Sequence, residues 1–255
     1  MFEPYKQLGQ NFLTDFTVAS KMVSALQLSP SDTVVEIGPG LGIITRQLAN
    51  DLTGLNSKIY AVEIDERFIP NLNQMFSDHI NAQVVFANIL DWLPNTHLPK
   101  NFKILGALPF NITTPIIKSI IFLENKPSVC VLMVQDEVAI KLSAVPPDAS
   151  YWSVFLQSFF NVEYLGPVKK EVFDPKPMFD GGLIKLTLHE NPFIQYLELN
   201  KYEKFLNKAF SNPRKMLNKI FTAEELSKFG FDPSLRAENI SAQEWIEAFK
   251  ISIQK

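Results

Sequence analysis

The chain has 255 residues, 46% hydrophobic and 20% charged, with a formal net charge of −3 at pH 7. This suits an ordinary globular protein with a large core and room for a second small domain, and any nucleic-acid contact must come from a local basic patch rather than a uniformly basic surface. No apolar run approaches the ~20 residues that span a bilayer, and Met1 to Lys6 lack a signal-peptide core, so a cytoplasmic protein with no membrane contact is expected.

In chain order, Thr33 to Ile37 reads as a buried strand and runs into Gly38-Pro39-Gly40-Leu41-Gly42, a turn opening a helix. Glycines at alternating positions let a backbone lie against a ligand where a Cβ would collide. Lys58 to Ile64 reads as the next strand, and an acid at its end, in Glu63-Ile64-Asp65, suits the hydroxyls of a ribose. Such a turn also serves tight strand-to-helix packing, but the acid one strand later favours a nucleoside cofactor. Dinucleotide folds use G-x-G-x-x-G; here the third glycine comes one residue early and the turn carries a proline, which points to a cofactor without a pyrophosphate and away from a nicotinamide oxidoreductase.

Gln83 to Ala87 and Phe102 to Leu105 read as further strands, the second leading into Ala107-Leu108-Pro109-Phe110-Asn111 and a helix over Pro115 to Leu123. Pro109 fixes the backbone so that the Leu108 carbonyl is a rigid acceptor, and Phe110 offers a flat face; acceptor plus aromatic plate suits a nucleobase with an exocyclic amine. The plainer alternative is a strand-to-helix turn with a packing phenylalanine. Ser128 to Val134 is a further strand holding the lone Cys130, a small core residue without a disulfide or metal partner, and the scattered His79, His97 and His189 form no metal cluster. Alternating strands and helices predict a parallel sheet with helices on both faces. Helices are expected near Asp136 to Leu142 and Ser153 to Phe160, and strand-like runs near Val162 to Val172 and Leu183 to Leu188.

Composition changes at Asn191-Pro192. Beyond it the pattern is helical, with capping boxes at Thr222 to Glu225 and Ser241 to Glu244. The expected organisation is an α/β domain over residues 1–190 and a small helical domain over 191–255.

These motifs, taken together, resemble the KsgA-type rRNA adenine N6,N6-dimethyltransferases, relatives of the Erm methyltransferases, nearly end to end. Leu8-Gly9-Gln10-Asn11-Phe12-Leu13 resembles the family's N-terminal cofactor segment, Val35 to Gly42 its glycine loop, and Gln135-Asp136-Glu137-Val138-Ala139 the helix after the fifth strand. Phe173-Asp174-Pro175-Lys176-Pro177 resembles its F-x-P-x-P loop, and Phe231 to Ser241 its closing segment, which favours the KsgA branch. The resemblance implies a Rossmann-like class I methyltransferase sheet, S-adenosylmethionine as cofactor, and dimethylation of adenine N6 in small-subunit rRNA of an immature subunit, by a monomer. It places Asn11, Leu13 and Gly38 against the methionine half, Gly40 in the glycine loop, and Glu63 on the ribose. Asn88 falls where the family usually has an aspartate accepting from the adenine amine; asparagine can accept through its amide oxygen. Leu108, Pro109 and Phe110 are the implied catalytic residues; Phe173 is a candidate second plate for the target base, with ordinary loop packing as the competing reading.

One departure bears on rate. The family pattern before Leu108-Pro109 has asparagine, and here the residue is Ala107. An adenine N6 lone pair is delocalised into the ring, and attack on a sulfonium methyl is helped when acceptors draw on both N–H groups. With Ala107 only the Leu108 carbonyl remains, a loss of roughly 3 kcal/mol or about 10² to 10³ in rate, unless a group such as Asn111 compensates. The alternative is a noncatalytic or weakly active ribosome-assembly factor that retains the cofactor pocket. Lys208, Arg214, Lys215 and Lys219, with Phe210 and Phe221, form a candidate rRNA patch that Lys169, Lys170 and Lys176 extend; a solvated helix face is the competing reading.

Overall fold

The computed structural model describes residue 5 and residues 9–52, 56–109, 112–190 and 194–254. The chain divides into two compact units, Met1–Ala139 with Glu163–Thr187, and Ile140–Val162 with Leu188–Lys255.

The first unit is built on β2 (Thr33–Ile37), β3 (Lys58–Glu63), β4 (Ala82–Phe86), β5 (Lys103–Ala107) and β6 (Val129–Gln135), joined by α2 (Ile43–Leu52), α3 (Ile69–Met75), α4 (Ile89–Asn95) and α5 (Thr113–Phe122). With β7 (Phe160–Val168) and β9 (Gly181–Leu188) they form a seven-stranded sheet in the order β4-β3-β2-β5-β6-β9-β7. Neighbours from β4 to β6 are parallel, whereas β9 runs antiparallel to β6, so the sheet is mixed rather than parallel throughout. Every residue of β2 is buried, as expected for a parallel strand covered on both faces. On one face Val34, Ile59, Leu105 and Val131 pack against α2 and against α1 (Phe16–Ala25), which supply Leu48, Ala19 and Met22. Asp15 caps α1 by accepting from the Thr17 and Val18 N–H groups.

A two-stranded pair lies apart from this sheet. β1 (Phe12–Leu13) runs antiparallel to β8 (Phe173–Asp174), pairing Leu13 with Phe173, and the Thr14 N–H and hydroxyl both donate to the Val172 carbonyl at 2.8 Å. The strand-like run expected over Val162 to Val172 therefore ends at Val168, and a 3-10 turn at Lys170–Val172 redirects the chain toward β1.

The second unit holds α7 (Tyr151–Gln157), α8 (Leu199–Ala209), α9 (Ala223–Phe229) and α10 (Ala242–Ile253); α6 (Asp136–Ser143) leads into it. Both expected capping boxes form. The Thr222 hydroxyl accepts from the Glu225 N–H at 3.1 Å while the Glu225 carboxylate accepts from the Thr222 N–H at 2.7 Å, and Ser241 with Glu244 repeats the exchange. The core is aromatic: Trp245 is fully buried, its ring centroid 5.3 Å from that of Phe231 and 5.8 Å from that of Phe205. Among the described residues no helix is long and apolar enough to cross a membrane.

Candidate functional site

The carboxyl ends of β2, β3, β4 and β5 open onto a cavity of about 1090 Å³, its mouth included. Parallel sheets place ligands there because every strand-to-helix turn delivers backbone and side chains to the same edge.

The floor is the glycine turn. Gly38 has φ +63° and Gly40 φ +54°, a left-handed backbone that side chains rarely adopt, and a Cβ on Gly40 would lie 3.3 Å from the Phe12 ring. The Gly38 N–H donates to the Val62 carbonyl at 3.0 Å and the Gly42 N–H to the Pro39 carbonyl at 2.9 Å, so the turn is tied to β3 and closes on itself.

Glu63 is 4% exposed, and its carboxylate is held by backbone: Oε2 accepts from the Gly40 N–H, and Oε1 from the Ile64 and Asp65 N–H groups, each at 2.9 Å. Desolvation raises its pKa against the pull of those donors. A carboxylate has about four acceptor sites; three are filled, and the remaining one is on Oε2. Behind the turn Glu36 is 1% exposed, with Oε1 accepting from the Thr45 hydroxyl at 2.9 Å and Oε2 without a partner among the described residues. Burial, with a smaller contribution from the Glu63 charge, pushes its pKa up to about 8, so it carries its proton at neutral pH.

The N-terminal segment forms a further wall, contributing Gly9 to Leu13. Asn11 Nδ2 donates to the Gly9 carbonyl at 3.2 Å. Gln10 Nε2 donates to Asp65 Oδ2 at 2.8 Å, while Arg67 donates to the same carboxylate through Nε at 2.8 Å and Nη2 at 2.6 Å, its guanidinium 3.5 Å from the centroid of the Tyr5 ring. The Arg67 hydrogen bonds lower the Asp65 pKa to about 2, outweighing burial.

Asn88 lines the cavity as the N-cap of α4, where its Oδ1 accepts from the Leu90 N–H at 3.0 Å. At the end of β5, Ala107, Leu108 and Pro109 also line it. The Leu108 N–H donates to the Met133 carbonyl at 2.9 Å, while the Leu108 carbonyl accepts from no described residue. Phe173, 7% exposed, reaches the same space from β8.

The cavity thus brings together Asn11, Leu13, Gly38, Gly40 and Glu63 with Asn88, Ala107, Leu108, Pro109 and Phe173. Phe110 and Asn111 lie outside the described residues, as does Leu8. Lys208, Arg214 and Lys215 belong to the second unit, are exposed, and are not among the cavity's lining residues. Lys208 is engaged, donating to Glu225 Oε1 at 2.8 Å with its ammonium 4.4 Å from the centroid of the Phe221 ring; the side chains of Arg214 and Lys215 have no partner among the described residues. Lys169 and Lys176 are paired with Asp180 and Glu171. Sequence reasoning missed the link from Gln10 through Asp65 to Arg67, since nothing local in either segment announces a partner over fifty residues away. Among the described residues, no group of three or more His, Cys, Asp and Glu is placed to hold a metal ion.

The chain matches the family model for ribosomal RNA adenine dimethylase over residues 1–254. It is 35% identical over 254 residues to the ribosomal RNA small subunit methyltransferase A of Sulfurihydrogenibium sp. (strain YO3AOP1), covering 98% of this chain and 96% of that protein. The protein of the same name from Thermotoga maritima is 35% identical over 248 residues, covering 96% of this chain and 84% of the relative. Two solved structures share the fold: the 23S rRNA methyltransferase ErmE, with a TM-score of 0.77 at 24% identity over 96% of this chain and 100% of that one, and a dimethyladenosine transferase from Plasmodium falciparum, with 0.79 at 22% over 93% and 95%. With the family model spanning both units and relatives aligned almost end to end, the chain belongs to the ribosomal RNA adenine dimethylase family.

Proposed function

We propose that this protein transfers methyl groups from S-adenosylmethionine to the N6 of adenines in small-subunit rRNA, acting as a cytoplasmic monomer on an immature ribosomal subunit. The observation that carries the reading is the shared cavity: the glycine turn, Glu63 and the Ala107-Leu108-Pro109 turn line one space. The residues present fit the cofactor. Left-handed glycines expose backbone to a ligand without a pyrophosphate, and Oε2 of Glu63 keeps one acceptor site for a ribose hydroxyl.

S-adenosylmethionine supplies a methyl group activated by a cationic sulfonium. Asn11, Leu13, Gly38 and Gly40 hold its methionine half and sulfonium region, Glu63 its ribose, and Asn88 the base end. On the substrate side, Pro109 holds the Leu108 carbonyl as an acceptor for one N–H of the target amine, and Phe173 with Phe110 supplies flat faces for the base. Lys208, Arg214 and Lys215 meet rRNA phosphates. Ala107 has no polar side-chain atom for the second N–H, which favours a second reading: a subunit-binding assembly factor with slow or no turnover.

The test is transfer of labelled methyl groups to unmethylated small subunits by the native protein and by Ala107→Asn. Under the first reading the native protein transfers slowly, and Ala107→Asn raises the rate by about 10²-fold with little change in cofactor affinity. If both proteins bind cofactor and subunit yet neither transfers, the assembly-factor reading stands; a native rate that Ala107→Asn does not improve would show that the missing acceptor carries no cost.

A further inference from the structure

The register of the sheet places the end of β5. Ile37 on β2 pairs with Gly106 and Met133 on β6 with Ala107, and a Cβ on Gly106 would lie 2.9 Å from the Ile37 carbonyl oxygen. Ala107 therefore stands level with Gly38, one strand over from the glycine turn, and both line the cavity. Around Ala107 the wall is made by Leu108, Pro109, Ile112, Met133 and Phe173, none of which carries a hydroxyl, amide or charged side chain. The cavity's polar side chains, Gln10, Asn11, Glu63 and Asn88, come instead from the N-terminal segment and from the ends of β3 and β4.

Two successive methyl transfers to one N6 present this wall with different amines. Adenine N6 has two N–H groups. One meets the Leu108 carbonyl, which accepts from no described residue; the other is turned to the Ala107 side, where it gives up water and gains no acceptor. N6-methyladenine has a single N–H, which the Leu108 carbonyl takes. Its methyl group is left for the other side, where Ala107, Ile112 and Met133 offer an apolar surface to match it. In each transfer the N6 lone pair forms the new N–C bond as the C–S bond breaks, the bonding pair stays on sulfur, and one N–H proton passes to solvent.

We propose that the wall at Ala107 is a subsite for a methyl group, so that the preferred substrate of this protein is an adenine already carrying one methyl on N6. This rests on the function proposed above and narrows it: the first methyl is the slow one, the second follows fast, and Ala107 sets the order of the two rates. An asparagine at this position would favour the opposite order. Its amide oxygen accepts the second N–H of adenine, but set against a methyl group it loses that partner. The greater electron density that one methyl gives N6 is common to both proteins, so comparing them isolates the side chain.

Both rates are read with protein in excess over unmethylated small subunits and saturating labelled cofactor, by acid quench and chromatographic separation of N6-methyladenosine from N6,N6-dimethyladenosine. Subunits monomethylated beforehand by Ala107→Asn at limiting cofactor give the second rate directly. In the native protein the second transfer should outrun the first by roughly tenfold or more. Ala107→Asn should speed the first by about 10²-fold and the second by less than about tenfold; Ala107→Ser, a smaller acceptor, should shift the ratio the same way by less. Affinity is the second readout. With S-adenosylhomocysteine bound, the native protein should hold monomethylated subunits several-fold more tightly than unmethylated ones, and Ala107→Asn should not. A rate ratio that neither variant changes, or equal native affinity for the two kinds of subunit, overturns the inference and leaves the methyltransferase reading standing. Should none of the three proteins transfer to unmethylated subunits, or the native protein transfer to neither kind, both fall.

Discussion

Glu36 shows how one buried group couples the site to pH. It sits on the same face of β2 as Val34, among apolar neighbours, with the Thr45 hydroxyl on one oxygen and no described partner on the other. Its folded pKa of about 8 stands well above the ordinary 4.5, so between those values the native state holds a proton that the unfolded chain has released. Stability from this group is therefore full below pH 4.5 and is lost as pH rises through 8. From pH 5.5 to 8 it should cost about 3 kcal/mol of unfolding free energy. Urea denaturation across that range should show a decline in the native protein that is largely absent in Glu36→Gln, which keeps the shape and cannot ionise. Equal slopes in the two proteins would mean that Glu36 is already ionised when folded. The sequence marks this residue only as the next-to-last of the strand that runs into the glycine turn; its pKa depends on burial between β3, β5 and α2, which no local pattern displays.

Among the elements, those with a strong local period were legible and those defined by a distant partner were not. Thr33–Ile37 was readable to the residue because a buried parallel strand is apolar on both faces and ends at glycine. The helix expected over Ser153 to Phe160 instead starts at Tyr151, because Ser150 provides its cap, and Phe160 opens β7. β1 and β8 are two residues each and exist only through each other, across more than 150 residues of chain. That pairing, with the Gln10 to Asp65 hydrogen bond, holds Gly9 to Leu13 as a cavity wall. Gln10→Ala removes the donor to Asp65 and the acceptor for the Tyr5 N–H while leaving the Arg67 to Asp65 pair in place. It should weaken S-adenosylhomocysteine binding about fivefold and speed amide exchange at residues 9–13, with thermal stability nearly unchanged. Faster exchange with undiminished affinity would show that the wall does not bear on the ligand.

At the scale of the whole molecule, the two capping boxes and the proline and glycine stops outlined a helical unit, but not all of its membership. Ile140–Val162 belongs to that unit, although composition shifts only at Asn191-Pro192, which lies outside the described residues. Its attachments are long-range: the Ser158 and Tyr202 hydroxyls are 2.6 Å apart, and the Ala149 N–H donates to the Glu238 carbonyl at 3.2 Å. A basic cluster was also legible, but sequence could not tell an engaged cation from a free one. Lys208 is taken up by Glu225 and Phe221, which leaves the exposed Arg214 and Lys215, without partners among the described residues, as the stronger candidates for binding phosphate. On a chain of net charge −3, subunit binding through so local a patch should depend steeply on those side chains. Removing one phosphate-binding cation lowers the slope of log affinity against log salt by about 0.7 to 0.9, so Arg214→Ala with Lys215→Ala should reduce it by about 1.5. S-adenosylhomocysteine binding should not change, because neither residue lines the cavity. Filter binding of unmethylated small subunits across a salt series measures both slope and affinity; a double variant with the native slope would move the rRNA-binding surface away from this patch.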